Sequence, residues 1–309
     1  MRPGKINRLC SNARAVLTAL FCLVLLPPEA LSAGKSMTDL LGRQVTVPEK
    51  PVRIIALAPS VTEIVFALGC ENKLAGVTMF SDFPEGANYL PKVGSYVRLD
   101  LEKIVSLNPD LCIAVKDGNP KHVIDRLESL GIPVFAVNPT NLGSVMETIS
   151  TIGGLINAEK QAAVVVGDMR RRVAFVQRAI SGITARPRVF FQIGIDPIVS
   201  AGSDTFIDEL ISMAGGVNLA AGKTPYPRFS REQVLNLAPD VIIITSMARH
   251  AVFEEVKADW NQWPGMPAVQ HDRIFLQESN IYDRPTPRLV TGLETLARLL
   301  YPGRFKEDP

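Results

Sequence analysis

The sequence predicts an α/β protein built as two lobes with mainly parallel sheets, joined by one long rigid α-helix. Three observations predict this. Strand-type and helix-type segments alternate along both halves of the chain, an order that implies right-handed crossovers and parallel sheets covered on both faces. One sentence is written twice. LDLEKIVSLNPDLCIAV (99–115) and FSREQVLNLAPDVIIIT (229–245) each place a Glu eight positions before an Asp and pass through Pro-Asp into a β-branched run. Between the halves, Ala162, Val166, Met169, Val173, Val176 and Ile180 repeat at spacings of four and three, one apolar stripe along a helix.

The elements follow in order. After the extended GRQVTVPEKP, RIIALAPS is a β-branched run ending in Ala-Pro-Ser, and VTEIVFALGC has helical spacing and stops at Gly69. KLAGVT is a short strand, and the loop MFSDFPEGANYLPKVGSYVRLD leads to the helix LEKIVSLN, closed by Pro109. The strand DLCIAV, helix KHVIDRLESLG, strand IPVFAV and helix NLGSVMETISTIGGLI complete the first half. The striped helix runs from Ala158 to Ile180. A packed helix of that length is a stiff spacer, where a Gly- or Ser-rich linker would be a loose hinge. The second half has the strand PRVFFQIG, helix SDTFIDELISMAGG, loop and helix PRFSREQVLNLAP, and strand DVIIIT. A further helix, the strand DRIFLQ and the helix RLVTGLETLARLLY follow. Helix, Pro-Asp, strand is also ordinary turn chemistry. Two copies at matched places in matched orders favour duplicated or convergent lobes.

The N-terminus stands apart. Basic residues up to Arg14 precede a twelve-residue apolar stretch, AVLTALFCLVLL, interrupted only by Thr18, then Pro27, Pro28 and the small-residue run ALSAG. A helix of twelve residues spans roughly 18 Å, short of the ~30 Å hydrocarbon core, so residues 1–33 read as a secretory signal peptide cut near Ser32 or Ala33. A lipoprotein signal needs small residues before its Cys, and Cys22 follows Leu20 and Phe21. The expected division is 1–33 signal, 34–156 N-terminal lobe, 157–182 linking helix and 183–309 C-terminal lobe. The expected location is the periplasm.

Outside residues 1–33 the chain holds 29 basic and 30 acidic side chains, a balance that gives no electrostatic case for a nucleic-acid partner. Export removes Cys10 and Cys22. Of the remaining pair, Cys112 lies in the apolar DLCIAV, which suits an unpaired strand thiol. His122, His250 and His271 are scattered, so no metal site is expected. GGVNLAAGKT mimics a phosphate loop, but Gly216 is one place out of register and a helix precedes it. No nucleophile elbow, zinc-protease helix or dinucleotide fingerprint appears, so no catalytic residues and no enzyme are expected.

Aromatic and polar residues recur in loops after the predicted strands: MFSDFPE, GSYVRLD, TPYPRFS and NIYDRPTPR. In open parallel sheets ligands sit at the carboxyl ends of strands, and two facing lobes make a cleft there. Phe83, Tyr96, Tyr226 and Tyr282 offer flat faces to such a cleft, and Arg284 a charge for a ligand's polar rim. The plain alternative is that each aromatic anchors its own loop.

Taken in order, RIIALAPSVTEIVFALG, SDFP, LEKIVSLNPDLCIA, RVFFQIGIDP, TPYPRFSREQVLNLAPDVIIIT and YDRPTPR give the chain its likeness. Over nearly all of 50–309 it resembles the helical-backbone periplasmic binding proteins of ABC importers for cobalamin and iron chelates, most of all their cobalamin-binding members. The resemblance implies a monomeric receptor that carries cobalamin or a related corrinoid as ligand, with no catalytic cofactor, to a permease dimer and its ATPase subunits. It implies ligand contacts at Phe83, Tyr96, Tyr226, Asn280 and Arg284, with Ser60 and Tyr282 as further candidates. It also implies docking carboxylates at Glu102 and Glu232, one per lobe, a two-point key for Arg residues of the permease. The chain departs from the cobalamin receptors: Tyr96, Val115 and Tyr226 stand where those have Trp, Ile193 where they have Phe, and Asn280 where they have Asp. Haem or a ferric siderophore is the alternative ligand. A cofactor-handling enzyme or chaperone on the same scaffold is the alternative from another class.

Overall fold

The structure is a computed structural model that describes residues 34–222, 224–246 and 251–305. The signal-peptide expectation lies outside these residues. Among the described residues no helix is long and apolar enough to cross a membrane.

A hairpin of β1 (Gly34–Thr38) and β2 (Gln44–Pro48) precedes the first lobe. Then come β3 (Ile54–Ala56), α1 (Pro59–Ala67), β4 (Leu74–Val77), and the small antiparallel pair β5 (Gly94–Ser95) and β6 (Arg98–Leu99). The lobe closes with α2 (Leu101–Ser106), β7 (Leu111–Val115), α3 (Lys121–Ser129), β8 (Val134–Val137) and α4 (Leu142–Leu155). Its sheet is wholly parallel in the order β4-β3-β7-β8. Successive strand residues face opposite ways. Ile54, Ala56, Leu111, Ile113, Phe135 and Val137 join one core, whereas Ile55, Cys112, Ala114 and Val134 join another. Burial on both faces is why these strands read as unbroken apolar runs.

The long helix α5 covers Glu159–Ala179, with Ala158 and Ile180 as its caps. It packs along α4 on one side and, on the other, along the last helix, Leu289–Leu300. Gly153 permits the close approach to α4, because a Cβ there would lie 2.5 Å from the Cβ of Ala162. Arg172 grips Glu294 of the last helix through two hydrogen bonds of 2.9 and 2.6 Å. Ala162, Val166, Met169 and Val176 are the buried part of the stripe. They belong to a single core that runs from Val45 in the first lobe to Phe305 at the far end of the second. The expected spacer is therefore continuous with both lobe interiors.

The second lobe contains β9 (Arg188–Gly194), β10 (Ile198–Ser200), α6 (Phe206–Met213), β11 (Val217–Asn218), β12 (Arg228–Phe229), α7 (Arg231–Leu237) and β13 (Val241–Ser246). It continues through α8 (Ala251–Asn261), α9 (Pro267–Gln270), β14 (Ile274–Glu278), α10 (Asn280–Asp283) and α11 (Leu289–Leu300). β11, β9, β13 and β14 pair in parallel, and β10 and β12 extend the edge antiparallel. Val217 and Asn218 of the phosphate-loop mimic are thus a sheet strand.

The repeated sentence builds the same junction twice. Asp100 caps α2 by accepting the Lys103 amide, and Ser230 caps α7 by accepting that of Gln233. Both helices stop on a left-handed residue, Asn108 (φ 48°) and Ala238 (φ 44°), followed by a buried Pro. The Asp after each Pro then accepts backbone amides at the start of the neighbouring strand: Asp110 those of Val52 and Arg53, Asp240 that of Arg188. Arg53 and Arg188 return the contact to the carbonyls of Asn108 and Ala238. These side chains satisfy backbone groups that a helix end leaves open.

Cys70 and Cys112 are both free thiols. Burial on β7 pushes the Cys112 thiol up to about 12.

Candidate functional site

The carboxyl ends of both sheets face one cleft of about 370 Å³. From the first lobe it is lined by Ala58 to Ser60 after β3, Val115 to Asp117 after β7, and Val137 to Pro139 after β8, with Phe80 and Tyr96 from the long loop. The second lobe supplies Phe206 at the start of α6, Tyr226, and Asn280, Asp283, Arg284 and Pro285 at and beyond α10. Aromatic faces thus stand on both sides: Phe80 and Tyr96 on one, Phe206 and Tyr226 on the other.

Of the residues singled out in the sequence, Ser60, Tyr96, Tyr226, Asn280 and Arg284 all line this cleft. Asn119 fixes the first-lobe wall. Its side chain accepts the Val115 amide at 2.8 Å and donates to the carbonyls of Leu57 and Tyr96 at 2.8 Å each, tying two strand ends to the aromatic loop. Gly118 (φ 125°) makes room, since a Cβ there would lie 2.6 Å from the Tyr96 ring.

Two of the residues singled out in the sequence lie outside the lining of this cleft. Phe83 does not line the cleft; its ring lies under the Arg288 guanidinium, 4.0 Å from the ring centre. A cation held over an aromatic face is a stabilising contact in its own right, and here it bridges the lobes. Tyr282 is fully buried, stacked edge-on against Phe191 at 5.3 Å, with its hydroxyl donating to Gln277. It forms the floor of the second lobe rather than an exposed face.

Arg284 lies at the cleft edge, but its guanidinium is engaged across the lobes. It donates to Glu63 at 2.9 Å, to Asp82 at 2.8 Å and to the carbonyl of Phe80 at 3.2 Å. Arg288 approaches the same Glu63 oxygen at 3.6 Å and donates to Glu278 at 2.8 Å. The Glu63 side chain is 2% exposed. Burial raises its carboxyl above the ordinary range, against the opposing pull of Arg284 and Arg288. A second tie joins the lobes where Glu209 of α6 accepts the Leu142 amide at the start of α4. Asp283 remains open to water yet is walled by both lobes, which raises its carboxyl to about 6.

Sequence reading missed Phe80, Phe206, Asn119 and Glu63. Phe80 shares a loop with Phe83, and loops have no period to say which ring faces inward. Phe206 sits in a helical pattern and reads as core. Glu63 did leave a signal: a lone carboxylate in the apolar VTEIVFALG.

Glu102 and Glu232 are exposed in the first turns of α2 and α7, at equivalent places in the duplicated junction. The Ser230 hydroxyl and the residue's own amide hold the Glu232 carboxyl below its usual value, so it stays charged. Among the described residues no group of three or more His, Cys, Asp or Glu side chains is placed to hold a metal ion.

Residues 54–280 match the sequence family described as periplasmic binding protein. A Bacillus subtilis relative, named an uncharacterized ABC transporter substrate-binding lipoprotein, is 32% identical over 88% of this chain and 87% of its own. The crystal structure of the periplasmic vitamin B12-binding protein BtuF of Vibrio cholerae superposes with a TM-score of 0.73 at 30% identity, covering 84% of this chain and 100% of that one. The periplasmic heme-binding protein RhuT of Roseiflexus sp. RS-1 gives a TM-score of 0.72 at 27% identity, over 82% and 99% of the two chains. With its two α/β lobes, shared core and cleft at the strand ends, the chain belongs to the periplasmic binding protein family.

Proposed function

We propose that this protein is an exported receptor that captures cobalamin or a related corrinoid between its lobes and delivers it to an ABC importer. The observation that carries the reading is the cleft at the carboxyl ends of both sheets, with aromatic faces from each lobe. Flat rigid rings pack a macrocycle at low entropic cost, and an open cleft admits a ligand larger than the space it encloses. The likeness to a vitamin B12-binding structure supports the same ligand class. Ser60, Tyr96, Tyr226, Asn280 and Arg284 are the proposed ligand contacts, with Phe80 and Phe206 added. Glu102 and Glu232 are the proposed docking points for a permease dimer whose ATPase subunits supply the energy. Residues 34–156 and 183–309 act as the two lobes of a monomer, and 157–182 as their spacer. The receptor reading assigns the chain no chemical step of its own.

The second reading, a receptor for haem or a ferric siderophore, is favoured by the two cleft phenols, since phenolate oxygen ligates ferric haem. Colour separates the two. Purified protein is mixed with cyanocobalamin, haem or a ferric chelate, desalted, and its absorption spectrum recorded. Retained cobalamin absorption supports the leading reading, and a colourless protein after cobalamin removes it.

Residues 1–33 act as the export signal in this reading, and the exported chain begins near Gly34. A lipidated N-terminus at Cys22, suggested by the lipoprotein name of the Bacillus relative, is distinguished by the intact mass of protein recovered from cells.

A further inference from the structure

Behind the cleft lies a second chamber of about 230 Å³, within the C-terminal lobe. It opens onto the cleft through Phe206, Tyr226 and Asp283, which line both, and Tyr282 forms part of its wall. Its volume is below the ~300 Å³ at which ordinary ligand pockets begin, so it suits a side arm of a ligand rather than a ring system.

Its polar groups are specific. Thr245, 3% exposed near the end of β13, and Ser279, 8% exposed just before α10, bring two hydroxyl-bearing side chains to the chamber lining. Thr205, also in the lining, differs, because its hydroxyl caps α6 and donates to the Gly202 carbonyl. The Thr245 and Ser279 oxygens are reached by solvent rather than sealed in the core, so both hydroxyls stay available to a polar group that enters this space. Each can donate, and the Asp283 carboxylate at the mouth accepts.

We propose that this chamber receives a primary carboxamide arm of the ligand and disfavours a carboxylate arm, which makes Thr245, Ser279 and Asp283 determinants of ligand choice. The carboxamide oxygen takes the hydroxyl protons, and its NH2 donates to Asp283. A carboxylate arm would meet Asp283 with like charge. The assignment rests on the receptor reading above and deepens it, because corrinoids carry primary carboxamide arms and haem carries two propionates. The carboxyl of Asp283, raised to about 6, is ionised at pH 8.

The test is equilibrium binding at pH 8 of cyanocobalamin and of its monocarboxylic acids, in which one side-arm amide is hydrolysed. At least one acid isomer is expected to bind about tenfold or more weakly than the amide. Thr245→Val removes one hydroxyl at constant shape and is expected to weaken cyanocobalamin binding about 3- to 10-fold. Asp283→Asn removes the like charge and is expected to narrow the amide-to-acid ratio. Ser279→Ala serves if Thr245→Val melts early. Wild-type protein that binds every acid isomer as tightly as the amide overturns the chamber while leaving the corrinoid receptor standing. If the protein takes haem and not cyanocobalamin, the corrinoid reading fails and the chamber is judged on haem against haem diamide. Preference for the diamide then supports it, and equal or weaker diamide binding overturns it. Binding of none of these probes overturns both.

Discussion

Replacing Arg284 with Met tests the cross-lobe clamp. The change keeps a long apolar stem and removes the charge from a Glu63 carboxylate whose side chain is 2% exposed. Removing one partner of a buried ion pair costs about 3–5 kcal/mol. Arg288 stays 3.6 Å from the same oxygen, which places the expected cost near ~3 kcal/mol. At roughly 2 °C per kcal/mol for a chain of this size, the melting temperature at pH 8 falls by about 6 °C. The pH dependence carries a sign. Burial already holds the Glu63 carboxyl above its ordinary value, and loss of Arg284 raises it further. An acid raised on folding penalises the folded state at pH values above its folded pKa, where it must ionise. The penalty disappears once pH falls below its unfolded value. The deficit of Arg284→Met relative to wild type therefore shrinks from pH 8 to pH 5. Asp283 titrates nearby in both proteins, so the comparison is made at matched pH. Adding Glu63→Gln removes the stranded charge and recovers much of the loss. Differential scanning calorimetry of the three proteins decides. A single variant melting within 2 °C of wild type at pH 8, or a double variant no better than the single, would refute the reasoning.

Charge reversal at Glu102 and Glu232 together is expected to abolish uptake by cells or reconstituted importer while leaving ligand affinity unchanged; sustained uptake removes the docking role. Ala238→Gly relieves a left-handed alanine and is expected to raise the urea midpoint by the equivalent of about 0.5–1 kcal/mol, after the entropy that glycine adds to the unfolded chain; no gain would show that the junction does not strain it. In protein beginning at Gly34, Ellman's reagent at pH 8 is expected to spare Cys112, which reacts only after unfolding, because its thiol is pushed up to about 12; rapid labelling of two thiols in the native state contradicts this. Small-angle scattering is expected to show little compaction when ligand is added, and a large change counts against the stiff spacer.

Much of the fold was legible because its strands are buried on both faces and its long helix is striped on one. Ile54 to Ala56, Leu111 to Val115 and Val241 to Ile244 are apolar runs in any context, and helices end visibly at Gly69, Pro109 and Pro239. The antiparallel edge of β10 and β12 escaped notice because two or three residues carry no period. The helical turn of α10 lay hidden in NIYDRPTPR, which reads as loop chemistry, and with it the burial of Tyr282. Site residues were legible as loop segments rather than as side chains. The segments holding Tyr96 and Tyr226 do line the cleft, but the choice of Phe83 over Phe80 depended on Arg288, more than 200 positions away. Long-range pairings such as Arg284 with Glu63 leave no local trace beyond a carboxylate in an apolar helix.

The shared core has a consequence for how a transporter tells a full receptor from an empty one. With one apolar interior threaded through both lobes and the spanning helix, the outline of the molecule is expected to change little between the two states. Any message about occupancy is then carried by the cargo itself, at the mouth of the cleft, where a membrane partner resting on both lobes would touch it directly.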